Sequence, residues 1–84
     1  MSLRITRTSD SHQTVLRIDG QLDCENVAEL TKEFRDIDGP LALELSGLQS
    51  ADADGVAILL DLALLGAKIR GESPYIELLL KSKS

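Results

Sequence analysis

Two carboxylates, Asp52 and Asp54, stand on either side of Ala53, where an apolar strand pattern gives way to a helical one. A carboxylate pair can perform acid–base work when its surroundings push the two groups apart in acidity. At a helix start the same residues have a plainer use. Asp52 accepts bonds from the free amides as an N-cap, and Asp54 in the first turn suits the positive end of the helix dipole. The other residues with chemical potential are dispersed. His12 lies in a polar stretch between two strand patterns and reads as a solvated loop histidine. Cys24 is the single cysteine, so the chain offers neither a disulfide framework nor a cysteine metal cluster. The hydroxyls of Ser46 and Ser50 have no base close in sequence, and Gly47 and Gly55 are isolated, without a phosphate-cradling loop around them. No cofactor or metal is expected, and the pattern points away from an enzyme and toward a surface read by another protein.

The bulk properties agree. The 84 residues make one domain, 1–84, with 43% apolar and 27% charged side chains, a globular balance. A chain of this size buries only about 60% of its unfolded surface, which leaves little material for a deep cleft. Phe34 and Tyr75 are the only aromatics, so the core must be aliphatic and no stacking platform for single strands exists. The net charge of −5 argues against nucleic acid or an anionic membrane as partner. A lone cysteine and the lack of a secretion signal fit the reducing cytoplasm. The longest apolar stretch, Gly55 to Ala67, contains Asp61 and is too short to insert across a membrane.

Around these residues the elements follow from periodicity. Leu3–Arg7 and Thr14–Asp19 alternate apolar with polar side chains and form a hairpin, with Gly20 ending the second strand. Val27, Leu30, Phe34 and Ile37 lie on one face of a helix over Asp23–Asp36, capped by Asp23 and stopped by Gly39-Pro40. Leu41, Leu43 and Leu45 define a central strand. Asp52 opens a helix to about Leu65, with Gly66 as its C′ residue. Ala67–Arg70 is a short strand, and Ser73-Pro74 opens a last helix holding Ile76, Leu79 and Leu80. The order β-β-α-β-α-β-α implies an α/β layer fold with a mixed four-stranded sheet and three helices. On the helix that Asp52 opens, Val56, Leu59, Leu60 and Ala63 fall on one side, and Asp54, Ala57, Ile58, Asp61 and Leu65 on the other. If the first set meets the sheet, the second is a contact surface of small and apolar groups flanked by acids.

With these elements in place, the chain resembles a STAS domain, the fold of bacterial anti-sigma-factor antagonists. The resemblance rests on Ile18-Asp19-Gly20-Gln21-Leu22-Asp23, on Leu43-Glu44-Leu45-Ser46-Gly47-Leu48, on Ala51-Asp52-Ala53-Asp54-Gly55-Val56 and on the Gly66 to Pro74 stretch. It covers nearly the whole chain in order and spacing. It implies a non-catalytic regulatory module that binds an anti-sigma factor, often a kinase, which phosphorylates the Ser or Thr directly after the motif Asp and so blocks binding. Here Asp52 matches the motif Asp, but Ala53 occupies the phosphoacceptor position and Asp54 the next. The usual phospho-switch is therefore expected to be absent, or replaced by the fixed charge of Asp54.

The partner-binding residues implied are Ser50, Asp52, Ala53, Asp54, Ala57, Ile58 and Asp61, placed on a 50–54 loop and the helix after it. A second reading within the same family is an accessory subunit of a phospholipid-transport ABC complex, bound to its ATPase. Many members continue with a further strand and helix beyond the segment that Pro74 opens. The chain is then either a compact variant or one whose final edge is completed by a partner or a second copy, and an open edge strand of this kind invites pairing into a homodimer.

Overall fold

The computed structural model describes residues 3–9 and 12–83. Its elements are β1 (Leu3–Ser9), β2 (Thr14–Leu22), α1 (Val27–Arg35), β3 (Leu41–Glu44), β4 (Leu48–Ala51), α2 (Ala53–Leu64), β5 (Lys68–Arg70) and α3 (Pro74–Lys83). The α/β class, the mixed sheet and the three helices stand as the sequence implied. The sheet has five strands rather than four, because Leu48–Ala51 is a strand and not part of a loop.

β2 is the organising strand. β1 runs antiparallel to it, from Leu3 opposite Gly20 to Ser9 opposite Thr14. On the other side β3 pairs parallel with its first half, and β4 pairs parallel with its end at Gly20, Gln21 and Leu22. Gly20 therefore does not end the strand. Its φ of 100° and the register shift between Gly20 and Gln21 make it a bulge, and the strand continues to the residues that touch α2. β5 pairs parallel with β3 and forms the edge opposite β1.

Alternation along β2 separates two faces. Leu16, Ile18 and Leu22 are buried with Leu43 and Leu45 from β3 and its continuation, against Leu30 of α1, Val56, Leu59 and Leu62 of α2, and Ile76 and Leu80 of α3. The opposite face carries a polar row: Arg17 is level with Glu44 and Glu44 with Arg70, with ion pairs Arg17–Asp19 at 2.9 Å and Arg70–Glu44 at 3.0 Å. Such exposed pairs contribute little stability, at most about 1 kcal/mol each. The aliphatic core holds the fold.

The helix ends show why the turns fall where they do. Gly66 at φ 107° ends α2 as its C′ residue: its amide donates to the Ala63 carbonyl at 3.0 Å, and the Ala67 amide to the Leu62 carbonyl at 3.0 Å. Ser73 caps α3, its Oγ accepting from the Ile76 amide at 3.2 Å. The cap proposed for α1 is corrected. Its N-cap position is Asn26, and Asp23 instead closes a tight turn before it. The Asp23 carbonyl accepts from the Asn26 and Val27 amides at 3.1 and 3.0 Å.

Candidate functional site

Two chain segments meet at the end of β2, and Asp52 joins them. Its Oδ1 accepts from the Gly55 amide at 2.8 Å, the expected N-cap bond of α2. Its Oδ2 accepts from the Cys24 amide at 3.0 Å, a bond across the fold that helical pattern alone does not reveal. The Asp52 amide in turn donates to the Leu22 carbonyl at 3.0 Å. Gly55 permits this approach. A Cβ at that position would be driven into the Leu22 carbonyl oxygen, with the Leu22 carbonyl carbon and Cγ each at 3.1 Å.

The facing turn, 23–26, is held by Asn26. Its Oδ1 accepts from the Asp23 amide at 2.8 Å and its Nδ2 donates to the Gln21 carbonyl at 2.8 Å. It is the one buried polar residue among those described, 8% exposed, and both ends of its amide are satisfied. Sequence reasoning missed it. The available signal was its place at the N-terminal margin of the Val27–Leu30–Phe34 helical face. Asp23 Oδ1 accepts from the Glu25 amide at 3.0 Å, so the turn presents Cys24 and Glu25 outward as a fixed shape.

The residues expected to bind a partner separate into two groups. Asp52, Ala53, Asp54, Ala57 and Asp61 are exposed along one side of α2. Ser50 and Ile58 depart from the expectation. There is no 50–54 loop: Ser50 is in β4 opposite Gln21 and half-buried, while Asp52 is the cap and Ala53 and Asp54 form the first turn of α2. Ile58 is half-buried and packs against the core. The buried side of α2 is centred on Gly55, Val56, Leu59 and Leu62, and this places Ile58 on its margin. Leu60 and Ala63, assigned to the sheet side, are half-buried. Leu65 is exposed as expected, and Leu64 beside it is more so.

The electrostatics of this face have one sign. From Gly20 to Thr31 and from Leu45 to Ala67 there is no lysine or arginine, while Asp23, Glu25, Glu29, Asp52, Asp54 and Asp61 fall within those segments. Cys24 reports the result. Its thiol pKa is raised, first by partial desolvation and then by the carboxylates of Asp52, Asp54, Asp23 and Glu25. The thiolate is the reactive form. Alkylation of Cys24 by iodoacetamide at mildly alkaline pH is therefore expected to be slower than that of free cysteine. Asp54→Asn removes one carboxylate without touching the cap and should speed the reaction by about two- to threefold. An unchanged rate would show that the carboxylates do not govern the thiol.

Donor atoms of Cys24, Asp52 and Asp54 lie within 4.8 Å of one another, and all three residues are exposed. Both Asp52 oxygens already accept amide bonds, and a thiol beside two carboxylates mixes soft and hard donors. The group fits a capped helix start better than a metal centre. No helix among the described residues is long and apolar enough to cross a membrane.

Comparison with known proteins bears on the whole arrangement. The family model described as "Mlab, STAS domain" matches residues 5–73. Among solved structures, the STAS domain of an antisigma-factor antagonist from Rhodobacter sphaeroides superposes with a TM-score of 0.62 at 23% identity, covering 81% of this chain and 83% of that one. No curated protein sequence matches at a significant level.

Proposed function

The chain belongs to the STAS-domain family, and from that premise we propose that it is a non-catalytic regulatory module of the cytoplasm that binds an anti-sigma factor through the exposed side of α2. The observation that carries this reading is the pairing of a rigid helix start with an accessible outer face. Asp52 is fixed by the Gly55 and Cys24 amides, and Ala53, Asp54, Ala57 and Asp61 project beyond it into solvent. A pre-organised face of this kind binds without first ordering its own backbone, which lowers the cost of association. The fold likeness to an antagonist domain supports the class of partner. The acidic surroundings favour a partner surface rich in lysine and arginine.

Ala53 sets the regulation. It is exposed in the first turn of α2, where a phosphate would gain from the helix dipole but stand among carboxylates. With no hydroxyl at this position, binding is constitutive. Ala53→Ser is expected to restore a phosphoacceptor without altering the fold. Incubated with ATP and a kinase-type anti-sigma factor, the variant should gain one phosphate and lose affinity by at least about tenfold. Phosphorylation of the unaltered chain at Ser46 or Ser50 with the same loss of affinity would contradict this reading.

The same residue favours a second reading. An interface that cannot be switched by phosphate suits a permanent subunit, such as the STAS accessory subunit of a phospholipid-transport ABC complex bound to its ATPase. Capture of interacting proteins from the source organism separates the two. An anti-sigma factor supports the first reading, and a transporter ATPase moves the domain to the second.

A further inference from the structure

We propose that Asn26 is a positioning residue for partner binding: buried behind the contact face, it holds the end of β2 and the turn after it so that Asp52 keeps both of its carboxylate bonds. The proposal rests on the reading that the exposed side of α2 is that face.

Asn26 stands at the N-cap of α1, where an asparagine ordinarily serves the first free amides of its own helix. Here its side chain makes no such bond. It turns back onto the preceding segment, its Nδ2 donating to the Gln21 carbonyl and its Oδ1 accepting from the Asp23 amide, both at 2.8 Å. Asp52 takes the alternate groups of the same segment. Its amide donates to the Leu22 carbonyl and its Oδ2 accepts from the Cys24 amide, each at 3.0 Å. Residues 21–24 are thus held by two clamps, each taking one carbonyl and one amide. The Asn26 clamp is buried, and the Asp52 clamp lies at the exposed start of α2.

Asp52 also caps α2 through the Gly55 amide, so the Cys24 amide decides where its second oxygen lies. That amide is one peptide along from the Asp23 amide that Asn26 fixes. Removing the Asn26 side-chain amide frees the Gln21 carbonyl and the Asp23 amide together, and the turn then moves with the Cys24 amide on it. Asp52 retains Gly55, so α2 keeps its cap and the fold survives at lower stability. The start of the contact face, however, must then be ordered again on binding, and that ordering costs affinity. A buried side chain that only supported the fold would act differently. Its loss would lower stability and leave the affinity of the folded molecule unchanged.

Asn26→Ala in the full chain tests the proposal, with Ile76→Val as a control that weakens the core in α3, outside both clamps. Both are expected to lower the thermal melt. Affinity is read by titration with the anti-sigma factor that the wild-type chain retains, at a temperature where every variant is folded. Asn26→Ala should bind about tenfold more weakly, and Ile76→Val within about twofold of wild type. In the free protein, hydrogen exchange read by NMR should speed up at the Cys24 amide by at least about tenfold, while the Gly55 amide keeps its rate. Should Asn26→Ala fail to fold, Asn26→Ser, which keeps a short polar side chain, takes its place with the same expectations. Wild-type affinity in the folded Asn26 variant, or an equal loss for Ile76→Val, overturns the proposal. Ala57→Arg tells this failure from that of the underlying reading. A loss of binding there with none at Asn26 refutes the positioning role alone, whereas unchanged binding by Ala57→Arg removes the contact face and the proposal with it.

Discussion

Replacing Gly55 by alanine is expected to lower the stability of this domain by about 2 kcal/mol, and Gly55→Val by more. Alanine is ordinarily the better helix residue by about 0.5–1 kcal/mol, so the direction of the effect is diagnostic. Gly55 is buried in the first turn of α2, and a Cβ there meets the Leu22 carbonyl oxygen, a backbone atom that cannot rotate aside. To make room, α2 must move away from β2. That movement strains the bonds from Asp52 to Gly55 and from Asp52 to Leu22, which define the site. For a domain of this size the change corresponds to a fall in Tm of roughly 8–16 °C. An unchanged or raised Tm for Gly55→Ala would show that the helix start floats free of β2, and the rigidity ascribed to the site would be lost.

Ala57→Arg is expected to reduce partner affinity by at least about a hundredfold, close to 2.7 kcal/mol, while stability stays within about 0.5 kcal/mol. Ala57 is exposed, one turn from Asp54 and one from Asp61, at the middle of the proposed contact. Arginine there adds bulk where the partner must approach and cancels part of the negative field that the partner meets. The neighbouring position makes a poor probe. Ile58 is half-buried and packs on the core, so Ile58→Glu would damage folding and binding together. Isothermal titration with the captured partner reads the affinity, and a thermal melt reads the stability. A loss of both would mean that Ala57 also supports the fold.

Much of this architecture is legible in local pattern because the relevant forces are local. The Asp52 cap, the Gly66 stop, the Ser73-Pro74 opening and the Val27–Leu30–Phe34 face each depend on residues within one or two turns. What escapes the sequence depends on distant partners. Leu48-Gln49-Ser50-Ala51 has no clean strand alternation, and it becomes a strand because β2 runs past the Gly20 bulge and offers free backbone groups to pair. Asp23 looks like a helix cap by composition, but Asn26 takes the burial and the bonds to Gln21 and Asp23, so the helix begins later. Ile58 falls outward on an ideal wheel, whereas the core side of α2 extends to Leu62 and draws Ile58 to its margin. The Cys24–Asp52 bond spans 28 positions, and no local rule could have found it.

The central claim is that this chain acts by presenting the exposed side of α2 to a protein partner. Its most direct test is paired affinity capture from the cytosol of the source organism, using the wild-type chain and Ala57→Arg as baits at equal folded concentration. The wild-type bait is expected to retain an anti-sigma factor that the variant fails to retain, with equal thermal melts for the two baits. Equal recovery of the same partner by both baits would contradict the claim and place the binding surface elsewhere on the fold.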